Sequence, residues 1–196
     1  MNAYNALAIR KVVENPCKPR TLFSWGKGVP IDSIWDVGNK MKLQVVWLMK
    51  AGKVGGKQLS LDNIENKLLR KPPAPIQLNP LLHACINCAS LSCPDLLPRA
   101  YLPDGTLEDQ MAESMREFLA ADKGLQLDRQ GKVLRLSKIF SWFSKDFEPD
   151  GMDKLGYLSQ YMPADVASFV RDNKDLKVEY MPYSWKLNGS CAGLCS

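Results

Sequence analysis

The feature that most constrains this chain is a change of hydrophobic period between residues 43 and 71. The stretch "LQVVWLMKAGKVGGKQLSL" reads as an apolar β-rich run, a glycine-bearing turn and a returning strand. It passes straight into "LDNIENKLLRK", where Leu61, Ile64, Leu68 and Leu69 form one helical stripe behind an N-capping Ser60, and Pro72-Pro73 stop it. A hairpin that runs directly into a helix is not a strand–helix–strand crossover.

The pattern recurs down the chain. "NAYNALAIRKVVEN" sets Ala3, Leu7, Ala8 and Val12 near one helical face, and an ordered Pro/Gly-rich connection, "SWGKGVPIDSIWDVG", follows. Thr106 and Asp109 resemble a capping box ahead of Leu107, Met111, Met115, Phe118 and Leu119. "LDRQGKVLRLS" predicts a second hairpin, and Ser137 is placed to cap a helix through "KIFSWFSKDF". A short helix around "PADVASFVRDN" and a last strand in "LKVEYMPYSW" complete the run. With no regular βαβ alternation, the expected class is α+β: helices and hairpin strands around one core, residues 1–196 forming a single domain.

At 196 residues and 45% hydrophobic, the chain can bury a core without disulfide staples. Its most apolar stretch, "LQVVWLM", lies between Lys42 and Lys50 and is far shorter than the roughly 20 residues of a membrane helix. The net charge of +5 is unevenly spread: residues 1–75 hold 13 Lys/Arg against 5 Asp/Glu, and residues 76–196 hold 13 against 16. Such a basic half suits an acidic partner or an anionic surface, though scattered solvated lysines give the same count. No Arg-rich block or basic–aromatic alternation points to nucleic acid.

The chemistry concentrates in "LLHACINCASLSCP", which sets the only histidine, His83, near Cys85, Cys88 and Cys93. Cys88 or Cys93 with His83 as base would make a nucleophilic centre, with Asn66 a residue type able to orient the base. Five residues apart, His83 and Cys88 would face opposite sides of a continuous strand. Four ligand types are enough for zinc, but a distant second pair of ligands is missing and no metal or other cofactor is expected. Cys88 with Cys93, or Cys191 with Cys195, could form a disulfide or a regulatory thiol pair, while Cys17 stands alone. Buried, satisfied side chains are the plain structural alternative to all of these. Trp142, Phe143, Phe147, Tyr183 and Trp185 read as core and rim. Asn2 and Asn5 either bond backbone or line a polar centre, and Asp62, Glu65 and Arg70 read as ion-pairing residues.

Seven stretches, in order, resemble the family catalogued as domain of unknown function 547. They are "NAYNAL", "IDSIWDVG", "GKQLSLDNIENKLLR", "HACINCASLSCP", "RAY", "LSKIFSWFSKDF" and "MPYSWKLN". The resemblance implies a polar centre that keeps His83, Cys88, Ser92, Cys93 and Pro94 and leaves Cys85 incidental. Two positions depart from it: Asn66 stands where the family has a histidine, and Ser184 where it has an aspartate. The family also opens with an aromatic-rich stretch ahead of its Asn-x-Tyr-Asn element, so the start at "MNAYNAL" is read as incomplete, compatible with a plastid or mitochondrial protein.

The expected function is therefore a degenerate, non-catalytic family member, an accessory subunit of a larger protein assembly, peripheral association with a membrane included. The alternative is a cysteine-dependent hydrolase or acyltransferase using Cys93 or Cys88 with His83.

Overall fold

A computed structural model describes residues 1–18, 28–37 and 45–194. Residues 24–27 and 38 of the loop expected at 24–38, the first two residues of the hairpin expected from 43, and Cys195 lie outside these residues. The chain is α+β, with short sheets and interspersed helices. It packs as two compact units, each built from separate chain segments: residues 1–78, 86–93 and 184–196 in the first, residues 79–85 and 94–183 in the second.

The first unit begins with α1 (Asn2–Glu14), which buries Tyr4, Asn5, Leu7, Ala8 and Lys11 on one face. Strands β1 (Cys17–Lys18) and β2 (Val29–Pro30) pair antiparallel. The hairpin β3 (Lys50–Val54) and β4 (Lys57–Ser60) turns through Gly55 and Gly56, both at positive φ. Residues 45–49, expected to extend the first strand, instead make a turn in which the Leu48 and Met49 amides donate to the Val45 carbonyl. Helix α1 comes so close to β3 that a Cβ on Gly52 would lie 2.4 Å from Leu7 Cδ2. There the Lys11 ammonium donates to the Lys50 carbonyl at 2.7 Å.

After β4 the chain winds into a helix whose main part, Asn63–Leu69, has π geometry. Ser60 caps it as expected. The Ser60 hydroxyl accepts from the Asn63 amide at 3.1 Å, and the Asn63 side chain accepts from the Ser60 amide at 3.4 Å.

The second unit is built on α2 (Leu107–Ala120) and a three-stranded sheet of β5 (Leu125–Asp128), β6 (Val133–Leu136) and β7 (Lys177–Tyr180). β5 and β6 form the expected hairpin, while β7 pairs parallel to β6 across a crossover holding α3 (Ile139–Trp142), α4 (Lys154–Ser159) and α5 (Ala164–Asp172). Leu134 and Leu136 point inward, and with Met115, Leu119, Phe140, Phe147 and Leu158 they are almost wholly buried.

Two local expectations fail here. The capping box at Thr106 does not form, because its hydroxyl donates to Asp104 and accepts from Gln110 instead. The helix expected through 138–147 breaks after Trp142 into a 3-10 turn, Ser144–Phe147. Ser137 does cap its start, accepting from the Ile139 amide at 3.4 Å.

Phe147 is fully buried and meets Phe140 edge-on at 5.0 Å. Phe147→Ala is expected to cost about 3–5 kcal/mol of stability, read as a lower urea midpoint by circular dichroism.

Candidate functional site

The thiols of the first unit sit on a loop fixed from both sides. Helix α1 turns Asn5 inward, and its side-chain oxygen accepts the Asn87 amide at 2.9 Å. The Asn87 side chain then accepts the Ala89 amide at 2.5 Å, holding Ala89 in the left-handed region at φ 63. That turn reverses the chain between the two cysteines. On the far side the Leu91 amide donates to the Lys186 carbonyl, and the Ser184 amide donates to the Ser92 hydroxyl at 2.8 Å. Ser184 thus ties its backbone to the thiol loop.

Cys88 and Cys93 are reduced, and their sulfurs lie 2.9 Å apart, with 9% and 4% of each residue exposed. The Cys88 amide donates to Cys93 Sγ at 3.2 Å, and the Ser90 hydroxyl lies 3.4 Å from Cys88 Sγ. Beside the pair, the Tyr4 hydroxyl donates to Glu65 Oε2 at 3.0 Å. Burial raises the Glu65 carboxyl above the usual carboxylate range; the Tyr4 bond opposes this, and the nearby Cys93 adds to it. Burial and then the Glu65 charge push the Tyr4 phenol well above its ordinary value. Glu65 was read from sequence as an ion-pairing residue; the Arg70 charge does act on it, and its hydrogen bond is to a phenol 61 positions away.

Asn66, the next residue, takes part in a ladder along its own helix. Its amide donates to Asp62 at 2.9 Å, and its oxygen accepts from Arg70 at 2.8 Å.

His83 belongs to the second unit and lies in a 3-10 turn, Pro80–Ala84, not on a strand, so the parity expected of residues 83–93 does not apply. Asn79 caps the turn by accepting the Leu81 amide, and Pro80 starts it. The imidazole is 3% exposed and stacks on Phe143 with ring centroids 4.3 Å apart. Its Nε2 lies 2.8 Å from Asp146 Oδ2, so an ionised Asp146 places the ring proton on Nε2. In the same unit the Cys85 thiol donates to the Leu81 carbonyl at 3.2 Å, and burial pushes it up to about 11. A thiol so disfavoured as thiolate is a poor nucleophile.

The remaining cysteines overturn one pairing. Cys191 is a reduced thiol and does not bridge Cys195, whereas Cys17, remote from both clusters in the sequence, is disulfide-bonded. Among the described residues no group of three or more His, Cys, Asp or Glu side chains is set to hold a metal ion. None of the described helices is long and apolar enough to cross a membrane.

Sequence reasoning had named His83, Cys88, Cys93 and Asn66 as site residues. It missed Tyr4 and Asp146, although both fall inside quoted motifs, "NAYNAL" and "LSKIFSWFSKDF". Fold and site together define an α+β protein with a buried thiol pair beside a phenol–carboxyl pair. The family model described as "Protein of unknown function, DUF547" matches residues 1–119, more than half of the chain, and the protein belongs to that family. The match takes in the first five of the seven motifs. No curated protein and no solved structure matches the chain.

Two variants probe the centre. Asn5→Ala strips the Asn87 amide of its acceptor in a buried setting and is expected to cost about 1–3 kcal/mol, measured by chemical denaturation. Glu65 has a folded pKa raised above its ordinary 4.5. The stability it contributes is therefore full below that pH and is lost as pH rises through the folded value. Glu65→Gln keeps an acceptor for Tyr4 and removes that loss. Its melting temperature should equal the parent's near pH 4 and exceed it at pH 7.5.

Proposed function

We propose that this chain is a non-catalytic member of its family that works as an accessory subunit of a protein assembly. The observation that carries this reading is how the reactive side chains are used. The His83 ring is buried under Phe143, and the Cys88 and Cys93 sulfurs face each other with under a tenth of either residue exposed. Asn66 spends its amide on Asp62 and Arg70. Catalysis needs a nucleophile within reach of both its base and a substrate.

Charge supports a docking role. The first unit holds 14 Lys/Arg against 5 Asp/Glu, a net of +9, and the second holds 12 against 16, a net of −4. The first unit also carries a tryptophan cluster: Trp35, Trp47 and Trp185 meet edge-on at centroid distances of 4.4–5.6 Å. Trp35 is 43% exposed and Leu48 66%. Aromatic anchors on a unit of net positive charge fit a protein partner with an acidic face.

The cysteine hydrolase is the second reading, favoured by the His83–Asp146 contact, since a carboxylate holding an imidazole is how a base is oriented in triads. One experiment separates them. Brief iodoacetamide treatment of the folded protein at neutral pH is expected to leave Cys88 and Cys93 unmodified. With Trp35→Ala and Leu48→Ser, release from the native complex is expected on size exclusion. Rapid labelling of either cysteine, abolished by His83→Ala, would establish the hydrolase instead. A native protein eluting as a 22.0 kDa monomer would end the subunit reading.

A further inference from the structure

We propose that Cys88 and Cys93 are an oxidative modification site, a dithiol that a peroxide closes to a disulfide within the loop 88–93. The proposal rests on the sulfur geometry and not on the accessory-subunit reading. Two reduced sulfurs at 2.9 Å have no atom between them, and closing to a bond of about 2.05 Å requires a movement of less than 1 Å. The loop is already bent for it. Ala89 holds a left-handed conformation that Asn87 fixes, and the Cys93 amide donates back to the Ser90 carbonyl at 3.1 Å. The backbone that brings the sulfurs together is paid for by hydrogen bonds independent of the thiols.

The two sulfurs are not equivalent. Cys93 Sγ accepts the Cys88 amide, and a backbone donor at sulfur favours the thiolate. Cys93 is thus the thiol that meets the oxidant, and Cys88 resolves it. The Cys93 thiolate attacks a peroxide oxygen, the O–O bond breaks, hydroxide leaves, and Cys93 carries a sulfenic acid. Cys88 Sγ then attacks the Cys93 sulfur; the S–O bond breaks, and that oxygen departs as water with the Cys88 proton. In sum two thiols lose two hydrogens and two electrons, and hydrogen peroxide takes up both to give two waters.

Three further features fit this chemistry. Hydrogen peroxide is small enough to enter where a larger alkylating reagent is shut out, so exposures of 9% and 4% do not prevent it. Cys17, in the same unit, is disulfide-bonded, as in chains that meet oxidising conditions. Glu65, its carboxyl raised by burial and lying by Cys93, is a proton acceptor better matched to a thiol than an ordinary carboxylate.

The test uses the whole chain, with its Cys17 disulfide left intact. Stoichiometric hydrogen peroxide is added at neutral pH, the reaction is stopped by alkylation in denaturant, and the tryptic peptide 71–99 is mapped without reduction. The expected result is a loss of two hydrogens, with fragment ions missing between Cys88 and Cys93 and Cys85 alkylated. Cys88→Ser is expected to stop at a sulfenic acid on Cys93 that dimedone traps, and Cys93→Ser to give neither product. An unchanged peptide in the native protein, a link involving Cys85, or a stable sulfenic acid on Cys93 with Cys88 present would each overturn the proposal. The native measurement decides alone if the serine variants fail to fold. Because the iodoacetamide result concerns slow alkylation, a failure here leaves the subunit reading standing, and the reverse also holds.

Discussion

The bond from Asn5 to the Asn87 amide is the interaction on which the first unit depends most. An N–H buried without an acceptor costs on the order of 1–3 kcal/mol, and at Asn87 the acceptor comes from a helix 82 residues earlier in the chain. That single contact sets where the loop starts. Just beyond it lie the left-handed Ala89, the approach of the two sulfurs and the antiparallel bridge between Ser90 and Leu187. It also explains why a polar residue is buried on the inner face of α1, where the apolar pattern alone would call for leucine.

The candidate site is held together by contacts of unequal range, and that range decides how much could be read in advance. Ser60 was recognisable as a cap because its partner, Asn63, is three residues away and the geometry is local. Thr106 showed the same local signature and did not cap, because Asp104, two residues upstream, competes for the same hydroxyl. The α+β class and both hairpins followed from hydrophobic period and glycine-bearing turns. The parallel pairing of β6 with β7 did not, since no local pattern records a partner 44 residues on.

Among the functional residues, the clustering of Cys88 and Cys93 was visible as spacing, but their meeting was not, because spacing does not record that the loop turns through Ala89 in the left-handed region. Tyr4 and Glu65 were unreadable as a pair for another reason. Each sits within an amphipathic helix where the ordinary role of tyrosine is packing and that of glutamate is solvation. Only the tertiary fold brings the phenol to the carboxyl and removes enough water to raise both groups. His83 is similar: the histidine was conspicuous, but Asp146 is one of many surface-type acids until the 3-10 turn at Ser144–Phe147 presents it.

The interleaving of the two units along the chain has a consequence for biosynthesis. Residues 94–183 complete the second unit before residues 184–188 leave the ribosome, yet those last residues supply the backbone partners of Ser90, Leu91 and Ser92. While residues 94–183 are made, the loop bearing Cys88 and Cys93 therefore waits without its far wall, after α1 and the hairpin have emerged. The wall of the thiol loop around Ser184 is thus supplied by the segment of the first unit that is synthesised last.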